Sequence, residues 1–143
     1  MSGMKTVYTA EVTVTGGRDG RATSSDKNLD VKLSMPKELG GSGASGTTNP
    51  EQLFAAGYAA CFQSALRAVA GNKGMKITDS SIKAKVGVGP RDAGGFGINV
   101  AMEVKLQGVT REQAQQLIEI AHRDMCPYSH ATRNNIDVDI KLA

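Results

Sequence analysis

The sequence predicts an α+β fold in which antiparallel sheets surround one central buried helix. Three observations predict it: alternating, β-branched stretches at both ends and in the middle, one long apolar segment after residue 48, and one amphipathic segment from residue 111. Taken in order, the elements read βββ-α-ββ-α-β over a single domain of residues 1–143.

Residues 5–15 are rich in Val and Thr and partly alternate, which predicts a strand that ends at Gly16-Gly17. Arg18-Asp19-Gly20 reads as a turn into residues 21–25, and residues 28–35 alternate cleanly until Pro36 stops them. This N-terminal third is a β-meander. Gly40 to Thr48 is a connector by its Gly, Ser and Thr content, or a flap over a site near Cys61. It lacks the Gly-Lys-Ser/Thr ending of a phosphate cradle.

The central helix has a marked start. Asn49 suits the cap, Pro50 the first helical position, and Glu51 puts a carboxylate at the positive end of the helix dipole. From Leu53 to Leu66 only Gln63 and Ser64 are conspicuously polar, so the helix reads as buried nearly all round. Such burial exceeds what one sheet of a small domain supplies, and predicts a homodimer with this helix near the interface.

Gly71 to Gly74 breaks the chain, and residues 77–88 and 96–106 then form a long hairpin around residues 90–95. Ile82, Ala84, Val86 and Val88 share one face of the first strand, and Ile98, Val100, Met102, Val104 and Leu106 one face of the second. Thr110 to Gln113 is a capping-box pattern. Ala114, Leu117, Ile118 and Ala121 follow at helical spacing, predicting a helix over 111–124 that stops before Pro127. A short helical turn over 127–133 and a last strand over 136–142 complete the chain.

Composition excludes several function classes. Lys and Arg total 17 against 14 Asp and Glu, a net charge of +3 that is dispersed along the chain. No basic run interleaved with aromatics suggests a nucleic-acid surface. The longest apolar run, Leu53 to Phe62, is well short of the roughly 20 residues that span a bilayer. The N-terminus leads into a strand pattern without an apolar signal region, so a cytoplasmic, soluble chain is expected.

Chemistry narrows to thiols. Cys61 and Cys126, 64 intervening residues apart, make neither a secreted disulfide framework nor a zinc spacing with His122 and His130. A cysteine hydrolase would need an oriented base, and both histidines read as structural. Two readings stay open on the residues alone: two buried structural thiols, or a redox pair. A buried thiol is ordinarily inert, so reactivity requires a cation near Cys61. The candidates are Arg18, Arg21, Arg67 and Arg133, with Arg67 six residues down the same helix and turned away. Arg18, after its Gly-Gly bend, is the better placed, and Glu51 could pin such an arginine in a bidentate pair.

Four segments then become specific together: Thr15 to Gly20, Asn49 to Phe62, Gly94 to Gly97, and Cys126-Pro127-Tyr128-Ser129 through Arg133. Over nearly the whole chain they resemble the organic hydroperoxide resistance (Ohr) branch of the Ohr/OsmC peroxidases. The resemblance implies an intertwined homodimer with two active sites at its interface. It implies a thiol peroxidase that reduces organic hydroperoxides to alcohols, with Cys61 as peroxidatic and Cys126 as resolving cysteine. Arg18 and Glu51 match the pair that activates the thiolate. The resemblance further implies no bound cofactor or metal, and recycling by dihydrolipoamide or a lipoylated protein. Leu53, Tyr58, Phe62 and Phe96 are the expected substrate contacts, for alkyl or fatty-acid peroxides. Met125 and His130 are slight departures from the family pattern and leave the catalytic identities untouched.

Glu51 and Cys61 stand ten residues apart, about 15 Å along a helix. An arginine gripping Glu51 is therefore expected to serve the Cys61 of the other subunit. Two alternatives remain: a non-enzymatic thiol sensor or small-molecule binder on the same fold, and an OsmC-branch peroxidase of broader peroxide use.

Overall fold

The computed structural model describes residues 3–143. The chain is organised as two compact units, Met1–Pro50 and Glu51–Ala143.

The N-terminal unit is a meander of β1 (Val12–Thr15), β2 (Arg21–Ser24) and β3 (Asp30–Lys32), antiparallel in the order β1-β2-β3. Thr15 pairs with Arg21 across a tight connection containing the 3-10 turn Gly17–Asp19. That connection demands glycine: Gly16 has φ of 76°, and a Cβ at Gly20 would fall 1.6 Å from the Thr15 carbonyl oxygen. The first strand is shorter than its propensity suggests. β2 offers partners only to Val12 through Thr15, and residues 5–11, with Val7 and Tyr8 exposed, lie outside any strand. The Gly40 to Thr48 segment returns to the meander, where Thr48 bridges to Leu33.

The C-terminal unit carries α1 (Pro50–Asn72), β4 (Asp79–Pro90), β5 (Phe96–Gln107), α2 (Arg111–Ile120), α3 (Pro127–Thr132) and β6 (Val138–Leu142). The helix begins at Pro50, as its sequence signals predict. The hairpin of β4 and β5 pairs Asp79 with Gln107 through Pro90 with Phe96. The capping box forms: Thr110 Oγ1 accepts from the Gln113 backbone N–H, and the Gln113 side chain accepts from the Thr110 N–H.

One strand runs against expectation. β6 pairs with β5 in parallel, Val100 opposite Val138 through Val104 opposite Leu142, so this sheet is mixed rather than wholly antiparallel. The cause is the helical connection between them, which returns the chain to the starting end of β5 before β6 begins. Alternation in residues 136–142 reveals which face is apolar but not which way the strand points.

The sheet puts Val100, Met102 and Val104 against Phe62, Leu66 and Val69 of α1 and Leu117 and Ile118 of α2, while Lys83, Lys85, Glu103 and Lys105 stay on the exposed face. Burial of these apolar side chains, each contributing about 1.5–3 kcal/mol, holds the helices to the sheet. Helix α1 itself is buried on one side only. Tyr58, Phe62, Ala65, Leu66, Val69 and Ala70 are buried, whereas Ala56, Ala60, Ser64 and Ala68 form an exposed stripe of small residues. By length and composition α1 could also cross a membrane, a test the core helix of a soluble domain passes equally.

Candidate active site

Both cysteines belong to the C-terminal unit, and both are free thiols. Cys61 sits mid-way along α1, half-buried at a recess of about 420 Å³ that is walled by Ala60, Ser64, Ala65, Ala68, Met125 and Pro127. Cys126 is fully buried in the adjoining core. The two are near enough to interact: burial pushes the Cys61 thiol above its ordinary range, and the charge of Cys126 pushes it the same way.

What delivers Cys126 is a departure from the predicted helix. Instead of continuing regularly to residue 124, the helix widens into a π turn over Ala121–Met125, closed by the Cys126 N–H donating to the Ala121 carbonyl at 2.9 Å. Wide turns of this kind are uncommon and tend to occur at functional positions. Cys126 then takes an extended conformation ahead of Pro127, which opens α3 at a position where no N–H is needed. The periodicity of Ala114, Leu117, Ile118 and Ala121 carries no sign of the widened turn, because its apolar residues fit either ladder.

A buried hydrogen-bond chain holds this turn to α1. The Tyr58 hydroxyl lies 2.8 Å from Ser129 Oγ and 3.1 Å from Thr132 Oγ1, and Ser129 Oγ lies 2.7 Å from His122 Nδ1. Every member is satisfied when Tyr58 donates to Ser129 and Ser129 donates to a neutral His122. The burial of His122 agrees with that state, since burial, then the charges of Arg133 and His130, push its pKa down. Outside the core, Arg133 donates from Nη1 to the His122 carbonyl at 2.8 Å, and its Nη2 lies 3.1 Å from His130 Nδ1. His130 Nε2 reaches the Asp124 carbonyl at 3.1 Å, so Arg133 and His130 together clamp the π turn.

The arginines foreseen as candidate cations separate accordingly. Arg21 pairs with Asp30 at 2.7 Å, Arg67 reaches Ser80 Oγ at 3.5 Å, and Arg133 is committed to the clamp. Arg18 lies half-buried in the glycine-bracketed turn of the N-terminal unit, which Asp19 steadies by accepting from the Met35 N–H at 3.0 Å. Glu51 lies half-buried in the first turn of α1.

The expected substrate contacts divide. Phe96 lines a cavity of about 740 Å³, together with Phe54, Ile98, Tyr128 and Ile136. Tyr58 and Phe62 are fully buried in the core instead, and Leu53 is half-buried outside this lining. The residues missed by sequence reasoning are Phe54 and Tyr128. Their rings meet edge-on at 5.8 Å, and Tyr58 stacks at a tilt beneath Tyr128 at 5.5 Å. Phe54 stands four residues before Tyr58, one helical turn, and that spacing was the available signal. Gly57 admits the cluster, for a Cβ there would lie 2.5 Å from the Tyr128 hydroxyl oxygen.

Residues 41–141 match the family model of OsmC-like proteins. An organic hydroperoxide resistance protein of Xanthomonas axonopodis pv. citri is 55% identical over 97% of this chain and 96% of its own length. Among solved structures, that of the organic hydroperoxide resistance protein OhrB of Bacillus subtilis superposes with a TM-score of 0.86 at 46% identity, covering 96% of this chain and 100% of that one. A putative organic hydroperoxide resistance protein of Vibrio cholerae, solved with captopril in one of its active sites, gives a TM-score of 0.91 at 45% identity, covering 99% and 95%.

Proposed function

The chain belongs to the OsmC-like family, in its organic hydroperoxide resistance branch, and from that membership we propose that it is a thiol peroxidase that reduces organic hydroperoxides to alcohols. The observation that carries the reading is the pairing of thiols: Cys61 half-buried at a recess, with the buried Cys126 within electrostatic reach.

In this reading the Cys61 thiolate attacks the distal oxygen of R–O–O–H. The O–O bond breaks, RO⁻ takes a proton to leave as the alcohol, and Cys61 becomes a sulfenic acid. The Cys126 thiol then condenses with it, releasing water and forming a Cys61–Cys126 disulfide. An external dithiol of the lipoyl type, dihydrolipoamide or a lipoylated protein, reduces that disulfide by exchange, and no bound cofactor takes part. Reducing conditions of this kind imply a cytoplasmic setting.

Because burial raises the Cys61 pKa, the thiolate needs a compensating cation. We assign that role to Arg18, oriented by Glu51, the pair serving the Cys61 of the other subunit in a homodimer. The exposed small-residue stripe of α1 and the exposed Val7, Tyr8, Val12 and Val14 support such a dimer, since uncovered apolar surface of this kind favours a partner chain.

The deciding experiment mixes purified protein with cumene hydroperoxide and dihydrolipoamide and follows peroxide loss. Many turnovers per chain are expected, abolished by Cys61→Ser. Consumption that stops at one peroxide per chain would instead make the protein a stoichiometric thiol sensor. Equal use of hydrogen peroxide would indicate the broader specificity of OsmC-type enzymes.

A further inference from the structure

Pro127 takes a backbone donor away from the π turn. With the Cys126 N–H on the Ala121 carbonyl, the next bond of the wide ladder would run from residue 127 to the His122 carbonyl. Residue 127 is proline and has no N–H to give. Side chains from the far end of α3 supply what is missing. Arg133 Nη1 donates to the His122 carbonyl at 2.8 Å, and His130 Nε2 lies 3.1 Å from the Asp124 carbonyl. The backbone of Cys126 is held by the same helix, since its carbonyl accepts from the His130 N–H at 3.0 Å.

Arg133 and His130 are also bonded to each other, Nη2 to Nδ1 at 3.1 Å. A guanidinium only donates and a carbonyl only accepts, so the contacts fix one tautomer: Nδ1 of His130 accepts and Nε2 carries the proton. The arrangement requires a neutral His130. A second proton, on Nδ1, would replace this hydrogen bond with a cation facing the guanidinium. His130 is exposed and Arg133 half-buried, so solvent reaches the pair without the core opening. The other charged or titratable groups around it are His122, Arg123 and Asp124 of the π turn. Asp124 stays ionised, because Arg123 bonds both its oxygens at 2.9 Å and lowers its pKa.

We propose that Arg133 and His130 are positioning residues for disulfide formation: latched together, they hold the π turn in the form that keeps Cys126 near Cys61, and acid releases the latch. This rests on the peroxidase reading for the oxidant that makes the sulfenic acid. In the step concerned, the Cys126 sulfur attacks the sulfur of the Cys61 sulfenic acid. The S–S bond forms as the S–O bond breaks, and hydroxide leaves with the thiol proton as water. Both residues act through the turn that carries Cys126 rather than on the sulfurs. A buried thiol meets its partner only from a fixed place, so a loosened turn slows closure and leaves the reaction of Cys61 with peroxide to its own surroundings.

The test has two arms. Rapid quenching after mixing with excess cumene hydroperoxide, read by mass spectrometry, resolves second-order formation of the Cys61 sulfenic acid from first-order closure of the disulfide. Arg133→Met should slow closure about tenfold relative to the oxidation step, as expected for the loss of a hydrogen bond from a charged donor. His130→Ala should slow it about threefold, and His130→Asn, whose amide both accepts and donates, should recover most of the native rate. Closure in the native protein should fall from pH 7.5 to 5.5 more steeply than in His130→Asn, where Cys126 and His122 still titrate. Unchanged closure in Arg133→Met and His130→Ala overturns the proposal. So does an equal slowing of both steps, which a merely structural role would give, or one pH profile shared by the native protein and His130→Asn. If Arg133→Met does not fold, the His130 variants decide the matter. The second arm closes the same disulfide with diamide, which needs no peroxide, and the same dependence on Arg133 and His130 is expected. If that dependence is found but no hydroperoxide is consumed, the peroxidase reading fails and the latch stands. A native protein that forms no Cys61–Cys126 disulfide with either oxidant overturns both.

Discussion

The phenolic oxygen of Tyr58 lies 2.8 Å from Ser129 Oγ, though the two residues are 71 positions apart in the chain. Tyr58 is three residues before Cys61 on α1, and Ser129 is three residues after Cys126 on α3. One buried hydrogen bond therefore ties α1, which carries Cys61, to α3, which begins directly after Cys126. It does so with groups that have no water to fall back on, since both residues are fully buried.

Removing Ser129 takes a buried hydrogen bond from Tyr58, which keeps Thr132, and leaves His122 Nδ1 without its partner, a loss of about 1–3 kcal/mol. Ser129→Ala should accordingly lower unfolding free energy by that amount in urea titration, since both Tyr58 and His122 lose a partner. Tyr58→Phe should cost less, because Ser129 keeps His122. In both variants Cys126 should be less well held, and oxidation by one equivalent of cumene hydroperoxide should give a slower disulfide. An unchanged stability in Ser129→Ala would show that the network carries no weight.

A second expectation concerns Gly57. Glycine inside a helix is ordinarily unfavourable by about 1 kcal/mol against alanine, so Gly57→Ala would stabilise an open site. Here the added methyl would sit 2.5 Å from the Tyr128 hydroxyl and 3.1 Å from the ring carbon bearing it. Tyr128 cannot swing freely because Phe54 and Tyr58 pack against it. Gly57→Ala should thus destabilise by roughly 1–3 kcal/mol, as overpacking does. Tyr128→Phe in the same background removes the nearest clash and should recover part of the loss, a coupling that a double-mutant cycle in urea measures directly.

The sequence revealed whatever depends on side-chain pattern and local signals. The start of α1 was readable in Pro50 and Glu51, the capping box in Thr110 and Gln113, and both faces of the hairpin in alternation. Three features depend on long-range geometry, and none of them was readable. The parallel course of β6 follows from where α3 ends, and the π turn at Ala121–Met125 leaves no mark on apolar periodicity. The aromatic cavity joins Phe54 to Tyr128 across 73 intervening residues, while Tyr58 and Phe62, expected as substrate contacts, are buried in the core. The thiols were legible as residues, whereas the Ser129–His122 support of Cys126 required the fold.

His122 should make stability pH-dependent. Its folded pKa is depressed, by burial first and then by Arg133 and His130, while the unfolded chain takes up the proton near 6.5. The unfolded state therefore binds more protons as pH falls, and the contribution of His122 is present above 6.5 and lost as pH drops through the depressed folded value. Protonation would also place a proton on Nδ1 and leave the Ser129 hydroxyl without its acceptor. Midpoints of urea unfolding measured from pH 7.5 to 5 should fall for the native protein and flatten for His122→Asn. A native midpoint independent of pH across that range would contradict the neutral, buried histidine.

Cys61 offers the sharpest test of how its thiol is tuned. Within its own unit, burial and then the Cys126 charge both raise its pKa. The rate of iodoacetamide alkylation follows the thiolate fraction, so its pH midpoint reports the balance of forces on Cys61. Cys126→Ser removes a like charge and should move that midpoint down, with burial still holding it above an ordinary thiol unless a cation intervenes. Arg18→Met, in the Cys126→Ser background, should move it up if Arg18 supplies that cation. Mass spectrometry of the tryptic peptide containing Cys61 separates its alkylation from that at any other site. A midpoint indifferent to Arg18→Met would remove Arg18 from the activation of Cys61 and leave the thiol governed by burial alone.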